Sequence, residues 1–578
     1  MKYTVIVLIC GLLLGCSRNQ NNINTITNLN LLADSYLKAF LSTHPEDAYS
    51  YGIDIERHDG HPMNDVNEIL EWQNYEDSLY SEFQKIDQSK ITLAKDKITY
   101  WTLKEKLESQ IEFRICKQYL WQISHMTGWQ NTWLNMARKQ PVITESNKSQ
   151  VLIRWNYFPT FIDNEIANLK SGIEQGYTMP KEIVAVVIDQ IQTILDYPID
   201  KSPLIAPAKR ATSKTFKDDW TILIQERVLP AIHVYQNYLK EEYYDQAREE
   251  VSIVNIPNGS ECYQAYIRYW TSTEMTADEI HELGLKVVGQ NKAEVIELGQ
   301  NIYQTSDFTE VIKKSKSDST QYFKNSGDML IYNEQFLKTA KLECANWFSS
   351  LPSSDVEIYP YEAHEKGSAR YEMATSNTPA YFRINLNHPN SEIFGQSEIR
   401  NAHEAYPGHH LQIGISTDLE GLHPITKISY IGSYSEGWAR YAEHLSEEMN
   451  LYKSPSALIQ RRAWPSRGMV MDPGVHFHNW TKQDVIDYAV ESGRTAKTGE
   501  LMYQRIIIIP AQLTSYDVGG EEIKRLRLKA ESQFGDDFNI KEFHEKILEN
   551  GAIPISDLTK SIEDWINLKT EKNLRPGL

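Results

Sequence analysis

The chain has 578 residues, 41% hydrophobic and 24% charged, which places it with globular proteins large enough to bury an extensive core. Its formal charge of −19 argues against nucleic acid as a partner and against electrostatic attachment to anionic lipid. Five cysteines in so long a chain exclude a disulfide framework as the basis of the fold.

Met1 and Lys2 precede an apolar run from Val5 to Leu14, with the length and flank of a secretory signal rather than a membrane span. The run ends Leu13-Leu14-Gly15-Cys16 and resembles a bacterial lipobox, which implies cleavage before Cys16 and a lipid on that cysteine. Residues 1–15 therefore read as a signal peptide, 16–23 as a lipidated tether and 24–578 as one body. The expected location is the cell envelope, facing the periplasm, with the membrane reached only through the anchor. No later stretch approaches the roughly 18 apolar residues of a spanning helix; those at Ile183 to Ile188 and Ile506 to Ile509 are core-sized. Once Cys10 and Cys16 are set aside, Cys116, Cys262 and Cys344 remain, and at most one intramolecular disulfide can form.

Helical signals dominate the body. Met179-Pro180-Lys181-Glu182 opens a run to Leu195, and Thr276-Ala277-Asp278-Glu279 is a capping box opening another to about Gln300. Within the latter, His281-Glu282 lacks a partner histidine one turn on and reads as surface. No linker follows residue 23 and no repeat of fixed period stands out. The expected fold is mainly α: two helical lobes, about 24–350 and 351–578, around a deep cleft, with a small β ribbon near the active site. The strand is expected at Ala380-Tyr381-Phe382-Arg383-Ile384-Asn385-Leu386, where Tyr, Phe and Ile favour extended backbone. As an edge strand it would align a substrate backbone, with Tyr381 and Asn385 against the substrate; the alternative is a two-stranded ribbon covering the core.

His403-Glu404-Ala405-Tyr406-Pro407-Gly408-His409-His410 follows, with potential metal-binding imidazoles on either side of a carboxylate suited to proton transfer. In the usual H-E-x-x-H helix the second histidine stands at i+4 and the glutamate is general base toward a water the zinc activates. Here i+4 is Pro407, which cannot donate to the His403 carbonyl, so the helix must bulge or kink. An undistorted helix turns about 600° from His403 to His409, which sets them about 240° apart, and about 700°, close to two full turns, to His410. A regular helix thus selects His410, and a two-residue bulge at Pro407-Gly408 selects His409.

The third ligand should be an acid on a later helix. Ser435-Glu436-Gly437-Trp438-Ala439-Arg440-Tyr441-Ala442-Glu443 supplies Glu436, and two imidazoles with one carboxylate leave a position open for water. Glu443 lies on the same face and reads either as part of a solvated acidic stripe or as a support for a ligand.

At these residues the chain resembles the DUF885 family of bacterial proteins, often lipoproteins, which are similar to gluzincin-type zinc peptidases. The H-E-x-x-P-G-H and E-G-W-A-x-Y-A-E strings carry the resemblance. It continues through Asp472-Pro473-Gly474-Val475-His476 with Trp480, Arg505 with Pro510 to Gly519, Asn550-Gly551-Ala552 with Pro554, and Ile256-Pro257-Asn258-Gly259 through Tyr263. In the family pattern the histidine of P-G-H stays while its successor varies, which favours His409 over His410. The resemblance implies Tyr516 and His476 as donors to the oxyanion. Arg505, Arg467 and Arg400 would meet either a substrate carboxylate or structural acids. The sequence departs from the pattern at Ala511, where glycine is usual, and at Met502, where an acid usually precedes Arg505.

Neither a Gly-rich phosphate loop nor a Ser-centred nucleophile elbow is present. The expected function is a zinc-dependent peptidase acting on envelope peptides, with Zn²⁺ on His403, His409 and Glu436 and Glu404 as base. A non-catalytic peptide-binding lipoprotein on the same scaffold is one alternative, since Pro407 disrupts the standard motif. A non-haem iron enzyme is another, but it gives Glu404 no task.

Overall fold

Helices form wherever apolar residues recur at three- and four-residue spacing. A computed structural model of the chain describes residues 4–361, 369–374 and 378–574, with side chains between 24 and 571. The side chain of Cys16 and the tether at 16–23 lie outside those described side chains.

One compact unit comprises residues 1–262 and 422–429. In it α1 (Thr4–Thr43) turns Leu29, Ala33, Tyr36 and Phe40 inward as one buried stripe. The stripe packs with Trp72, Leu79 and Phe83 of α2 (Val66–Phe83) and with Leu103 and Leu107 of α3 (Ala94–Phe113). Ile425 and Ile428 of the returning segment close the same core, each such side chain contributing about 1.5–3 kcal/mol. Asp65 starts α2 by accepting from the backbone N–H of Asn67 and Glu68. A second nucleus is aromatic, with Trp155 edge-on to Trp133 at 5.0 Å and to Trp220 at 5.2 Å. The helix opened by Met179-Pro180 spans Lys181–Leu195. A disulfide joins Cys116 to Cys262, and Cys344 is a buried free thiol.

The other unit comprises residues 263–421 and 430–578. Its first long helix, α4 (Ala277–Tyr303), begins at the reciprocal Thr276–Glu279 capping box. His281 is buried rather than on the surface. Helix α4 packs its Ile280, Gly284 and Val287 face inward, and the His281 ring nitrogen Nδ1 lies 3.1 Å from the Val470 carbonyl; Glu282 alone of the pair is exposed.

Three strands make a small sheet in the order β1-β3-β2, from β1 (Val356–Pro360), β2 (Ala369–Glu372) and β3 (Ala380–Ile384). The expected strand is therefore present but central. It pairs in parallel with β1 and antiparallel with β2, Phe382 facing Ile358 and Tyr371. Both its edges are taken, so β3 is not the edge strand expected to align a substrate backbone.

The remaining helices that position the site are α5 (Phe394–Glu404), α6 (His409–Asp418), α7 (Gly432–Glu448), α8 (Arg467–Phe477), α9 (Ala496–Ile508) and α10 (Ser515–Phe534). Helices α7 and α10 cross backbone to backbone. A Cβ on Gly437 would stand 2.6 Å from Gly519 Cα, and one on Gly519 1.8 Å from the Ser433 carbonyl oxygen. That approach sets Glu436 and Tyr516 on neighbouring turns of two helices. Among the described residues no helix is long and apolar enough to cross a membrane.

Candidate metal centre

Pro407 ends α5, having no N–H to continue its ladder. The chain leaves the helix at Ala405 (φ −119°, ψ −102°), passes the cis Tyr406-Pro407 bond and re-enters a helix after Gly408. This is a four-residue break, 405–408, rather than a bulge within one helix. Gly408 closes it because no side chain fits: a Cβ would lie 1.9 Å from the His403 carbonyl oxygen. Trp438 of α7 holds the break from the other side, its indole N–H donating to the Pro407 carbonyl at 3.0 Å.

The break returns His409, the first residue of α6, to the side of His403. Their rings stand edge to face with centroids 4.8 Å apart. His410 turns away and is fully buried, its Nδ1 3.2 Å from the Tyr371 hydroxyl and its Nε2 3.1 Å from that of Tyr406. Burial pushes its imidazole down to about 4.

Glu436 of α7 completes the cluster. Its Oε2 lies 3.4 Å from His403 Nε2 and 3.5 Å from His409 Nε2, and the three ligand atoms lie within 4.8 Å of one another. Those separations exceed a normal hydrogen bond, and Glu436 Oε2 is buried without one. The two carboxylate–imidazole separations match the edge of a tetrahedron whose centre lies about 2.1 Å from each ligand, the distance zinc keeps to imidazole and carboxylate. The residues thus fit a zinc ion.

The surroundings orient the cluster. His403 Nδ1 lies 2.9 Å from Glu443 Oε1, which turns Nε2 toward the cluster. Glu443 is buried and also accepts from Arg440 at 2.7 Å, so it is neither solvated nor a stripe. Burial alone would raise the Glu443 carboxyl, but Arg440 and His403 outweigh it and hold it low. Burial would likewise depress His403, and the carboxylates of Glu436 and Glu443 push it instead up to about 10. Tyr430, with no signal in the sequence, donates to Glu436 Oε1 at 2.9 Å.

Glu404 is the last residue of α5, half-buried beside His403, and no hydrogen bond from the described residues engages its carboxylate. Tyr516 lies with its ring 6.4 Å from that of His403 and nearly parallel to it. Its hydroxyl accepts from Arg505 at 3.2 Å, and burial with the charge of Glu436 keeps the phenol protonated and able to donate. His403, Glu443, Tyr516 and Arg505 line one cavity of about 280 Å³.

His476 does not line this cavity. It is buried at the end of α8, with Nε2 3.1 Å from the Ile506 carbonyl and its ring 4.9 Å from Tyr263. The block around it is structural: Asp472 accepts from the Tyr263 hydroxyl at 2.7 Å and the Ala511 N–H at 2.8 Å. Arg467 is similarly committed, to the Ala463 and Tyr488 carbonyls and to Glu491. Arg400 pairs with Glu392 at 3.0 Å. Tyr381 packs on Tyr359 at 5.1 Å, and Asn385 Oδ1 accepts the Asn387 N–H, both in or beside the sheet.

Comparison with known proteins places this geometry on a recurrent fold. The chain is similar to a crystal structure described as "the putative lipoprotein from Colwellia psychrerythraea", with a TM-score of 0.84 at 19% identity over 94% of this chain and 99% of that one. It is also similar to a structure of "a putative lipoprotein of unknown function from Shewanella oneidensis", with a TM-score of 0.77 at 17% identity over 92% and 98% of the two chains. No curated protein matches it. The family model for bacterial proteins of unknown function, DUF885, matches residues 45–562, and the chain belongs to that family.

Proposed function

We propose that the chain is a zinc-dependent peptidase that hydrolyses peptides in the cell envelope, tethered there by lipid on Cys16. The observation that carries the reading is the convergence of His403 Nε2, His409 Nε2 and Glu436 Oε2, with Glu404 next to His403 in the chain and its carboxylate engaged by no hydrogen bond among the described residues. Bound zinc would supply Lewis acidity for water and for the scissile carbonyl. Glu404 takes the proton from the attacking water and passes it to the leaving amine. Tyr516 donates to the oxygen of the tetrahedral centre, and Arg505 orients its hydroxyl. Glu443 and Arg440 keep His403 in the tautomer that presents Nε2.

The test separates chemistry from binding. Glu404→Gln should retain zinc and peptide affinity while turnover of a peptide library falls by at least about 10²-fold, the lower range for a general base. Tyr516→Phe should lose on the order of 3 kcal/mol of transition-state stabilisation with KM little changed. Turnover of peptides by neither wild type nor variant, with peptide affinity intact, would favour a non-catalytic peptide-binding lipoprotein.

A further inference from the structure

Four arginines, Arg400, Arg440, Arg494 and Arg505, stand in the wall of the cavity that exposes His403 and Tyr516, against two acids, Glu443 and Asp517. Its acids are already committed. Glu443 serves His403 and Arg440, and Asp517 lies 3.5 Å from Arg440, while Arg400 reaches Glu392. Two guanidinium groups are left over. Arg505 bonds only the neutral side chains of Gln512 and Tyr516, and Arg494 packs its cation 4.8 Å above the Trp464 ring without an ion pair among the described residues. The Nε donors of both are buried and unsatisfied. Two guanidinium groups without an ion pair among the described residues and with unused donors suit an anion, and the planar fork of arginine fits a carboxylate in two-point contact.

The size of the cavity sets how far that carboxylate can stand from the cluster. A volume of about 280 Å³ has a linear dimension on the order of 6–7 Å, the reach of about two extended residues. Resting on the hydrolase reading above, we propose that Arg494 and Arg505 hold the C-terminal carboxylate of a peptide, so that the bond cut lies one or two residues from the chain end. Water adds across the C–N bond, its hydroxyl to the acyl carbon and its proton to the amine nitrogen, and a free amino acid or dipeptide leaves. No co-reactant other than water is consumed. The carboxylate of an acidic side chain has the same chemistry, so the experiment distinguishes the two sources.

The experiment uses the full zinc-loaded chain and three peptides of one sequence: a free C-terminal acid, its amide, and an amide with Glu in place of Gln near the end. Products are read by mass spectrometry, and affinities by calorimetry on Glu404→Gln. The free acid should be cleaved with kcat/KM at least ~10-fold above its amide, as for loss of a charge-assisted contact, releasing one or two residues. Arg494→Gln and Arg505→Gln should each bring that ratio toward one. Equal cleavage of acid and amide by wild type would overturn the inference and leave the hydrolase reading standing. An equal gain from the internal Glu would overturn the terminal carboxylate in favour of an acidic side chain. Tighter binding of the acid by Glu404→Gln, with no turnover by wild type, would overturn the hydrolase reading and keep the carboxylate site. The acid–amide comparison needs no arginine variant, so misfolding of either leaves it decisive.

Discussion

The two adjacent histidines after Gly408 are chemically identical in sequence and opposite in situation. His409 faces His403 and Glu436, whereas both nitrogens of His410 meet tyrosine hydroxyls in a closed interior. His409→Ala should therefore abolish zinc binding measured by elemental analysis, and His410→Ala should keep the metal while costing stability through two lost hydrogen bonds, about 1–3 kcal/mol. The reverse pattern would show that the ligand assignment is wrong. A second residue-scale expectation concerns pH. His544 is buried between the Trp347 carbonyl, to which its Nδ1 donates at 2.9 Å, and the Tyr441 hydroxyl, 2.8 Å from its Nε2. Burial pushes its imidazole down to about 3, so the folded protein holds it neutral while the unfolded chain protonates it near 6.5. Its stabilisation is complete above pH 6.5 and is lost as pH falls toward 3. Between pH 6.5 and 4.5 wild type should lose about 2 kcal/mol more than His544→Gln in parallel denaturant titrations; equal losses would exclude the mechanism. At this scale the adjacent His403 and Glu404 were legible as a motif, and the later E-G-W-A string pointed to Glu436, which the fold brings to His403 and His409. Tyr430 and Arg494 were not legible, since each acts through a fold that the sequence does not spell out locally. His476 lies away from the cavity, its Nε2 against a backbone carbonyl, which its place in a motif did not indicate.

Elements place these residues through two close approaches. Gly408 lets the start of α6 sit on the end of α5, and Gly437 with Gly519 lets α7 touch α10. Pro407 made an irregularity legible from the sequence, but the form it takes, two helices rather than one bulged helix, depends on Trp438 reaching in from α7. Strand β3 teaches the same point: its composition announced extended backbone, yet whether a strand is an edge or a centre is decided by partners elsewhere in the chain. The turn from α9 to α10 carries a testable strain. Ala511, where the family usually has glycine, adopts φ 61°, a left-handed conformation costly for a residue with a Cβ. Ala511→Gly removes that cost of about 1–2 kcal/mol and adds back about 0.4–1 kcal/mol of unfolded-chain entropy. The unfolding midpoint should rise, by the equivalent of about 0.5–1 kcal/mol, with zinc content unchanged because the backbone N–H still reaches Asp472. A fall in the midpoint would mean that the turn is held by contacts of the Ala511 methyl instead.

For the molecule as a whole, the division into one unit of residues 1–262 with 422–429 and another carrying the whole metal cluster gives stability and chemistry partly separate foundations. The limit of one disulfide was readable from the cysteine count, but its partners were not, because 146 residues separate Cys116 from Cys262. Both cysteines lie in the first unit, and the cluster lies in the second. Disulfides form and persist mainly in oxidising compartments, which accords with the envelope location proposed above. In the chain-entropy picture it restricts the unfolded state by up to about 5 kcal/mol. At roughly 2–4 °C per kcal/mol for a unit of this size, that corresponds to a shift on the order of 10 °C. The double variant Cys116→Ser, Cys262→Ser removes the bond without leaving a lone reactive thiol beside the buried Cys344. It should unfold at a markedly lower temperature than wild type, and a reductant should lower the midpoint of wild type but not of the variant. Zinc content and peptide turnover at 25 °C should be unchanged, since neither cysteine is a candidate ligand or lines the cavity. Wild type and variant melting together under oxidising conditions would mean that the crosslink contributes nothing to the first unit, whereas loss of zinc in the folded variant would mean that the two units are energetically one.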